Sequence, residues 1–209
     1  MDGEHAFVEH SDAPSQREEK PIINIVGEKV ALGPLHRGIL PFMVRWLNDF
    51  EVTFLSGDPL RPMSGEAIEA MYEHDSKGEQ RDRVDFIVYE RATMRLIGIM
   101  ELRHINTRNH NAEFGILIGE KDCWGKGYGT EATMLMLDYA FSVLGLHNVL
   151  LDTDSYNERA IRAYTRAGFR VIGHRREAKR WGDKFYDTVL MDCLSTEFRS
   201  SLKPIVNLP

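Results

Sequence analysis

Three glycines, Gly125, Gly127 and Gly129, alternate with bulkier residues in CWGKGYGTEATMLMLDYAF, Cys123 to Phe141, and a helical apolar pattern follows at once. Main-chain amides at a helix N-terminus point outward and carry partial positive charge. Glycines there let the chain turn sharply and let a ligand come close, so the chemistry indicated is phosphate binding. Lys126 adds a cation. A P-loop needs four residues between its first glycine and Gly-Lys, then Ser or Thr. Here five residues separate Gly119 from Gly125, and Gly127 follows Lys126, so that reading fails. Gly127-Tyr128-Gly129-Thr130-Glu131-Ala132 does match the G-x-G-x-x-A dinucleotide fingerprint, with Asp152 or Asp154 at about 20 residues beyond it. That fingerprint opens a doubly wound sheet, whereas this loop comes late, with too little chain left to build one. The third reading is a pyrophosphate cradle for coenzyme A.

The elements around the loop follow from apolar spacing. Residues 28–35 read as a strand, His36 to Asn48 as a helix, and Ser64 to His74 as a second helix with Ser64 as N-cap. Residues 85–89, 96–104 and 111–119 read as strands joined by short turns, as in antiparallel hairpins. Thr130 to Leu144 is a helix stopped by Gly145, and 149–153 a strand. Asn157 caps a helix from Glu158 to Ala167 that Gly168 stops, and strands at 169–175 and 185–194 form a hairpin around Trp181-Gly182-Asp183. The fold class is α/β, with a mixed, mostly antiparallel sheet flanked by helices.

With 209 residues, one domain over 21–198 is expected, preceded by a polar, flexible arm (1–20) and followed by a short tail (199–209). No run of about 18 apolar residues exists, so no membrane span is expected, and the polar N-terminus is not a secretory signal. Two cysteines are too few for a disulfide framework or a zinc site, and a reducing cytoplasm is the simplest setting. A net charge of −6 argues against broad nucleic-acid binding and favours a cationic partner. His104, His110 and His147 lack metal-ligand spacing, so no metal is expected.

NAEFGILIGEKDCWGKGYGTEA followed by SYNERAIRAYTRAGFRVIGHRRE resembles the GNAT acyl-CoA N-acyltransferase superfamily, in the branch that includes ribosomal-protein N-terminal and spermidine acetyltransferases. The resemblance covers roughly residues 28–195. Its core signature, Q/R-x-x-G-x-G/A, reads Trp124-Gly125-Lys126-Gly127-Tyr128-Gly129, with Trp124 in the Gln/Arg place. Its second signature is Asn157, Tyr164, Gly168 and Phe169.

The resemblance implies a V-splayed sheet that opens between strands 113–119 and 149–153, with acetyl-CoA as co-substrate. The pantetheine would pair with the main chain of Leu117, Ile118 and Gly119 like an added strand. The pyrophosphate would sit on the amides of Gly125 to Thr130. Asn157 would bond the pantetheine or position Tyr164, and Tyr164 would protonate the departing thiolate. Transfer would be direct, with no protein nucleophile. Asp152 and Glu113 are the candidate bases, needed less by an α-amine, with pKa about 8, than by a lysine-type amine, about 10.4. The acceptor site would involve Trp46, Asp49, Phe50, Glu51 and Phe54, with Trp181 and Tyr186 opposite, since acidic and aromatic side chains suit a cation. Candidate acceptors are a protein N-terminus, a polyamine, an aminoglycoside or an amino sugar, and the resemblance implies a homodimer. The alternatives are a non-catalytic acyl-CoA sensor and a dinucleotide-dependent oxidoreductase.

Overall fold

The computed structural model describes residues 20–57, 60–76 and 82–199. The expected N-terminal arm and C-terminal tail lie outside the described residues, apart from Lys20 and Arg199. The strands are β1 (Ile25–Val26), β2 (Val30–Pro34), β3 (Val84–Glu90), β4 (Arg95–Asn106), β5 (Asn111–Ile118), β6 (Asn148–Asp154), β7 (Arg170–Trp181) and β8 (Lys184–Leu194). The helices are α1 (Leu40–Leu47), α2 (Phe50–Ser56), α3 (Gly65–Ser76), α4 (Tyr128–Ser142) and α5 (Glu158–Ala167).

The strands form one sheet in the order β1-β2-β3-β4-β5-β6-β8-β7. Every pairing is antiparallel except β5 with β6. That parallel pair registers only Asn111, Ala112 and Glu113 against Asn148, Val149 and Leu150. Beyond Glu113 the two strands part, and the sheet opens as the resemblance implied.

Strand alternation assigns the two faces. Ala112 and Phe114 of β5 and Val149 and Leu151 of β6 pack into one core with Leu135, Met136, Leu137 and Ala140 of α4. Burying each of the large apolar side chains is worth about 1.5–3 kcal/mol over leaving it exposed. On the other face, Ile39, Trp46, Val52 and Tyr72 form a second core against Ile87, Tyr89 and Leu96. Glu131 of α4 is buried, and its carboxylate accepts from the amides of Glu28 and Lys29, which pins the β1–β2 turn beside the glycine loop.

Asn157 caps α5, its Oδ1 accepting from the Ala160 amide at 3.1 Å, while its Nδ2 donates 2.7 Å to the Leu55 carbonyl. One side chain therefore starts α5 and anchors the end of α2. Three features differ from the sequence expectation. Two extra elements appear, β1 and α2, and α4 begins at Tyr128 rather than Thr130, so Gly129 lies inside its first turn. A two-residue strand has no period to read. In α2 the β-branched Val52 and Thr53 weaken the helical pattern, and the helix is held by the Asp49 cap instead, whose Oδ1 accepts from the Glu51 amide.

Candidate active site

A cleft of about 410 Å³ lies where β5 and β6 part, between the N-termini of α4 and α5. It is lined by the glycine loop, by Ile116 to Ile118 and by one face of α5. Gly125 and Gly127 have φ of 74° and 88°. A residue with a Cβ is strained there, so these two glycines set the turn that aims the loop's amides outward. Gly129 has ordinary helical φ, and a Cβ there would meet only Ile118 Cγ1, at 3.6 Å. Its contribution is room for a close approach. The Lys126 side chain is exposed, and its carbonyl accepts from Lys29 Nζ at 3.1 Å.

The main chain of β5 corrects part of the sequence reading. The Gly119 amide donates to the Ile97 carbonyl at 3.0 Å. Antiparallel alternation from that bond turns Leu117 toward β4 and turns the N–H and C=O of Ile116 and Ile118 into the gap. Of the three expected main-chain partners only Ile118 faces the gap, and Ile116 joins it. Gly119 has another role: a Cβ there would fall 2.0 Å from the Trp46 ring. Trp46 itself, expected at the acceptor site, is 1 % exposed, and its Nε1 donates 2.9 Å to Glu120. It is core, not surface.

Trp124 lines the cleft, and its Nε1 donates 2.7 Å to the Ile118 carbonyl. The Arg159 guanidinium lies 3.9 Å from the centre of the same ring. Burial lowers the Arg159 pKa, and the charge of Glu51 opposes that shift. Arg162, paired with Glu158 at 2.9 Å, and Arg166 extend a basic edge to the cleft. The sequence reading missed these arginines, although spacing of three and seven residues on one helix places them on one face.

Tyr164 also lines the cleft, packed edge-on to Phe114 and Phe169 at 6.3 and 6.0 Å between ring centres. Its hydroxyl has no hydrogen-bond partner among the described residues. Burial pushes its pKa up to about 12, and the charge of nearby Asp152 adds to the shift. Of the candidate bases, Asp152 is exposed on β6, between buried Leu151 and Thr153. Glu113 is held by Arg103 at 3.2 Å and His104 at 3.1 Å. Neither carboxylate lines the cleft. Cys123 does, but it is 2 % exposed, and burial raises its thiol pKa.

Beyond α2 lies a group of rings. Phe54 stacks on Tyr156 at 4.4 Å and tilts against Trp181 at 4.8 Å, and Tyr186 meets Tyr156 edge-on at 5.1 Å. The Tyr156 hydroxyl reaches Asp154 Oδ2 at 2.8 Å, and Asp154 is 5 % exposed. Tyr156 and Asp154 were not expected here, since nothing local in DTDSYN marks them as neighbours of Phe54. Lys121 neutralises Asp49 at 2.7 Å and Glu51 at 2.9 Å. Among the described residues no cluster of His, Cys, Asp and Glu could hold a metal ion, and no helix is long and apolar enough to cross a membrane.

Residues 30–170 match the family model described as an acetyltransferase (GNAT) domain. The chain belongs to the GNAT acetyltransferase family. This GNAT is 30 % identical over 180 residues to spermidine N(1)-acetyltransferase of Vibrio cholerae, a match covering 83 % of this chain and 97 % of that one. It is 43 % identical over 76 residues to the Escherichia coli K12 enzyme of the same name, covering 36 % of this chain and 40 % of that one. The crystal structure of the Vibrio cholerae enzyme in complex with CoA and spermine superposes with a TM-score of 0.73 at 28 % identity, covering 81 % of this chain and 97 % of that one.

Like its family, this GNAT is an acetyl-CoA-dependent N-acetyltransferase, with acetyl-CoA as co-substrate. The residues present fit that group: amides held by two left-handed glycines, three arginines at the cleft edge, and β5 main chain left free by the splay.

Proposed function

We propose that this GNAT transfers acetyl directly to a primary amine of a polyamine-type small molecule. Acetyl-CoA supplies the activated thioester, and the chain's own residues bind, orient and move two protons, one to the leaving thiolate and one from the attacking amine. Amides from Gly125 to Thr130 hold the phosphates, and Ile116 and Ile118 hold the extended arm as an added strand would be held. A β5 amide polarises the carbonyl under attack. Tyr164 donates its proton to the leaving thiolate, and a pKa near 12 keeps the phenol protonated at neutral pH for that purpose. Asp152, whose charge acts on Tyr164, is assigned to take the amine's proton through water.

The observation that carries this reading is the unpartnered Tyr164 hydroxyl in the same cleft as the glycine loop. The polyamine assignment is supported by the named substrate of the relatives and by the rings of Phe54, Tyr156 and Trp181, whose faces attract cations. Initial rates of thiol release with spermidine, an aminoglycoside, an amino sugar and a peptide N-terminus test it. The expected result is turnover with spermidine and intersecting double-reciprocal lines. Parallel lines would mean a covalent acetyl-enzyme, and turnover of another amine alone would reassign the acceptor.

A further inference from the structure

The Trp124 indole does something its place in the glycine-loop signature does not require. A main-chain amide cradle is indifferent to the side chain at that position, yet here the side chain turns back 2.7 Å onto the Ile118 carbonyl. That carbonyl is one of the few β5 main-chain groups the splay leaves without a strand partner. A half-buried carbonyl left unpaired costs free energy, so a donor there lowers the energy of the empty cleft. Arg159 lies over the same ring at 3.9 Å and holds it by cation–ring attraction.

We infer that Trp124 is a gate on the co-substrate channel. In the empty protein its indole N–H occupies the hydrogen-bonding site on Ile118 that an amide of the extended arm of acetyl-CoA takes. Binding therefore requires the indole to leave. The two ends of the ligand are coupled through Arg159: a phosphate that draws the guanidinium off the ring also removes what holds the ring shut. Trp124 is thus a positioning residue that sets how tightly, and in what order, the co-substrate engages. This rests on the reading of the β5 edge as the pantetheine site.

The test uses the full chain. The indole N–H signal of Trp124, assigned by triple-resonance NMR, is followed during titration with acetyl-CoA and separately with 3′,5′-ADP, which carries phosphates but no pantetheine. Acetyl-CoA is expected to shift it upfield as the bond to Ile118 breaks, and 3′,5′-ADP to shift it part of the way. Trp124→Phe keeps a ring under Arg159 and deletes the competing donor. It should bind acetyl-CoA about three- to tenfold more tightly, with a matching fall in the acetyl-CoA KM. A ring that only packs the loop predicts weaker binding in the variant. An indole signal unmoved at saturation, or a variant that binds no tighter, overturns the gate and leaves the site assignment standing. Failure of the wild type to bind acetyl-CoA at all would instead overturn the site.

Discussion

In the proposed reading the co-substrate site draws its chemistry from main chain, and the acceptor site draws it from side chains. At the first, Gly125 and Gly127 fix a turn, α4 supplies amides, and β5 offers Ile116 and Ile118 to an open gap, all within residues 116–130. At the second, Phe54 comes from α2, Tyr156 from the turn before α5, and Trp181 and Tyr186 from the β7–β8 hairpin. Main-chain chemistry depends on φ and on where a strand partner is missing, so it tolerates Trp124 in the Gln/Arg place of the signature. Side-chain chemistry changes with every substitution. One end can stay constant across a family while the other is retuned to a new amine.

Five substitutions break or sharpen that contrast, in descending order of effect. Tyr164→Phe removes the proposed acid and nothing from the cradle. It should lower kcat about 10²- to 10⁴-fold and leave acetyl-CoA affinity within about twofold. A parallel loss of affinity would make Tyr164 a packing residue. Gly127→Ala forces a side chain into a left-handed backbone at φ 88°, at a cost of about 1–2 kcal/mol. It should weaken acetyl-CoA binding about tenfold or more and lower the melting temperature. Gly129→Ala, with ordinary φ, should weaken binding while holding or raising the melting temperature. Equal losses of stability in the two variants would contradict the separate roles given to these glycines.

Trp181 is 50 % exposed, so Trp181→Ala should barely affect stability. It should raise the acceptor KM about three- to tenfold without changing acetyl-CoA affinity. No change in acceptor KM would remove the ring cluster from the acceptor site. The smallest effect belongs to Lys121→Ala. The Lys121 hydrogen bond holds the Asp49 carboxyl below its usual range. A depressed folded-state pKa stabilises the protein above the unfolded value, about 3.9, and that stability disappears as pH falls through the folded value. The pair is largely exposed, so the variant should lose little stability at pH 7 and should unfold with a weaker acid dependence below about pH 4. An unchanged acid limb would show that the pair contributes nothing.

The same contrast governs what the sequence alone reveals. The bounds of α5 could be read because Asn157 caps it and Gly168 ends it, both local signals. The glycine loop was legible for the same reason. β1 and α2 were not, because neither is long enough to show a period. Gly129 read as loop because glycine is rare in helices, yet the first turn lacks the hydrogen bonds that a glycine would weaken. Leu117 and Gly119 were assigned to the gap with Ile118 because a sequence shows side-chain alternation, whereas the direction of main-chain groups depends on the register with β4. Trp46 looked like a cation's partner by type, but Gly119 leaves it a slot in the core. Tyr156 and Asp154 have neighbours from distant segments, which no local pattern records, whereas the one-face spacing of Arg159, Arg162 and Arg166 was a local signal that went unread.

The most direct test of the account is isothermal titration of the wild type and Tyr164→Phe with acetyl-CoA, with NADH as control. The account predicts saturable binding of acetyl-CoA to both proteins with similar dissociation constants, and no heat from NADH. Absence of acetyl-CoA binding to the wild type, or saturable binding of NADH in its place, would contradict it.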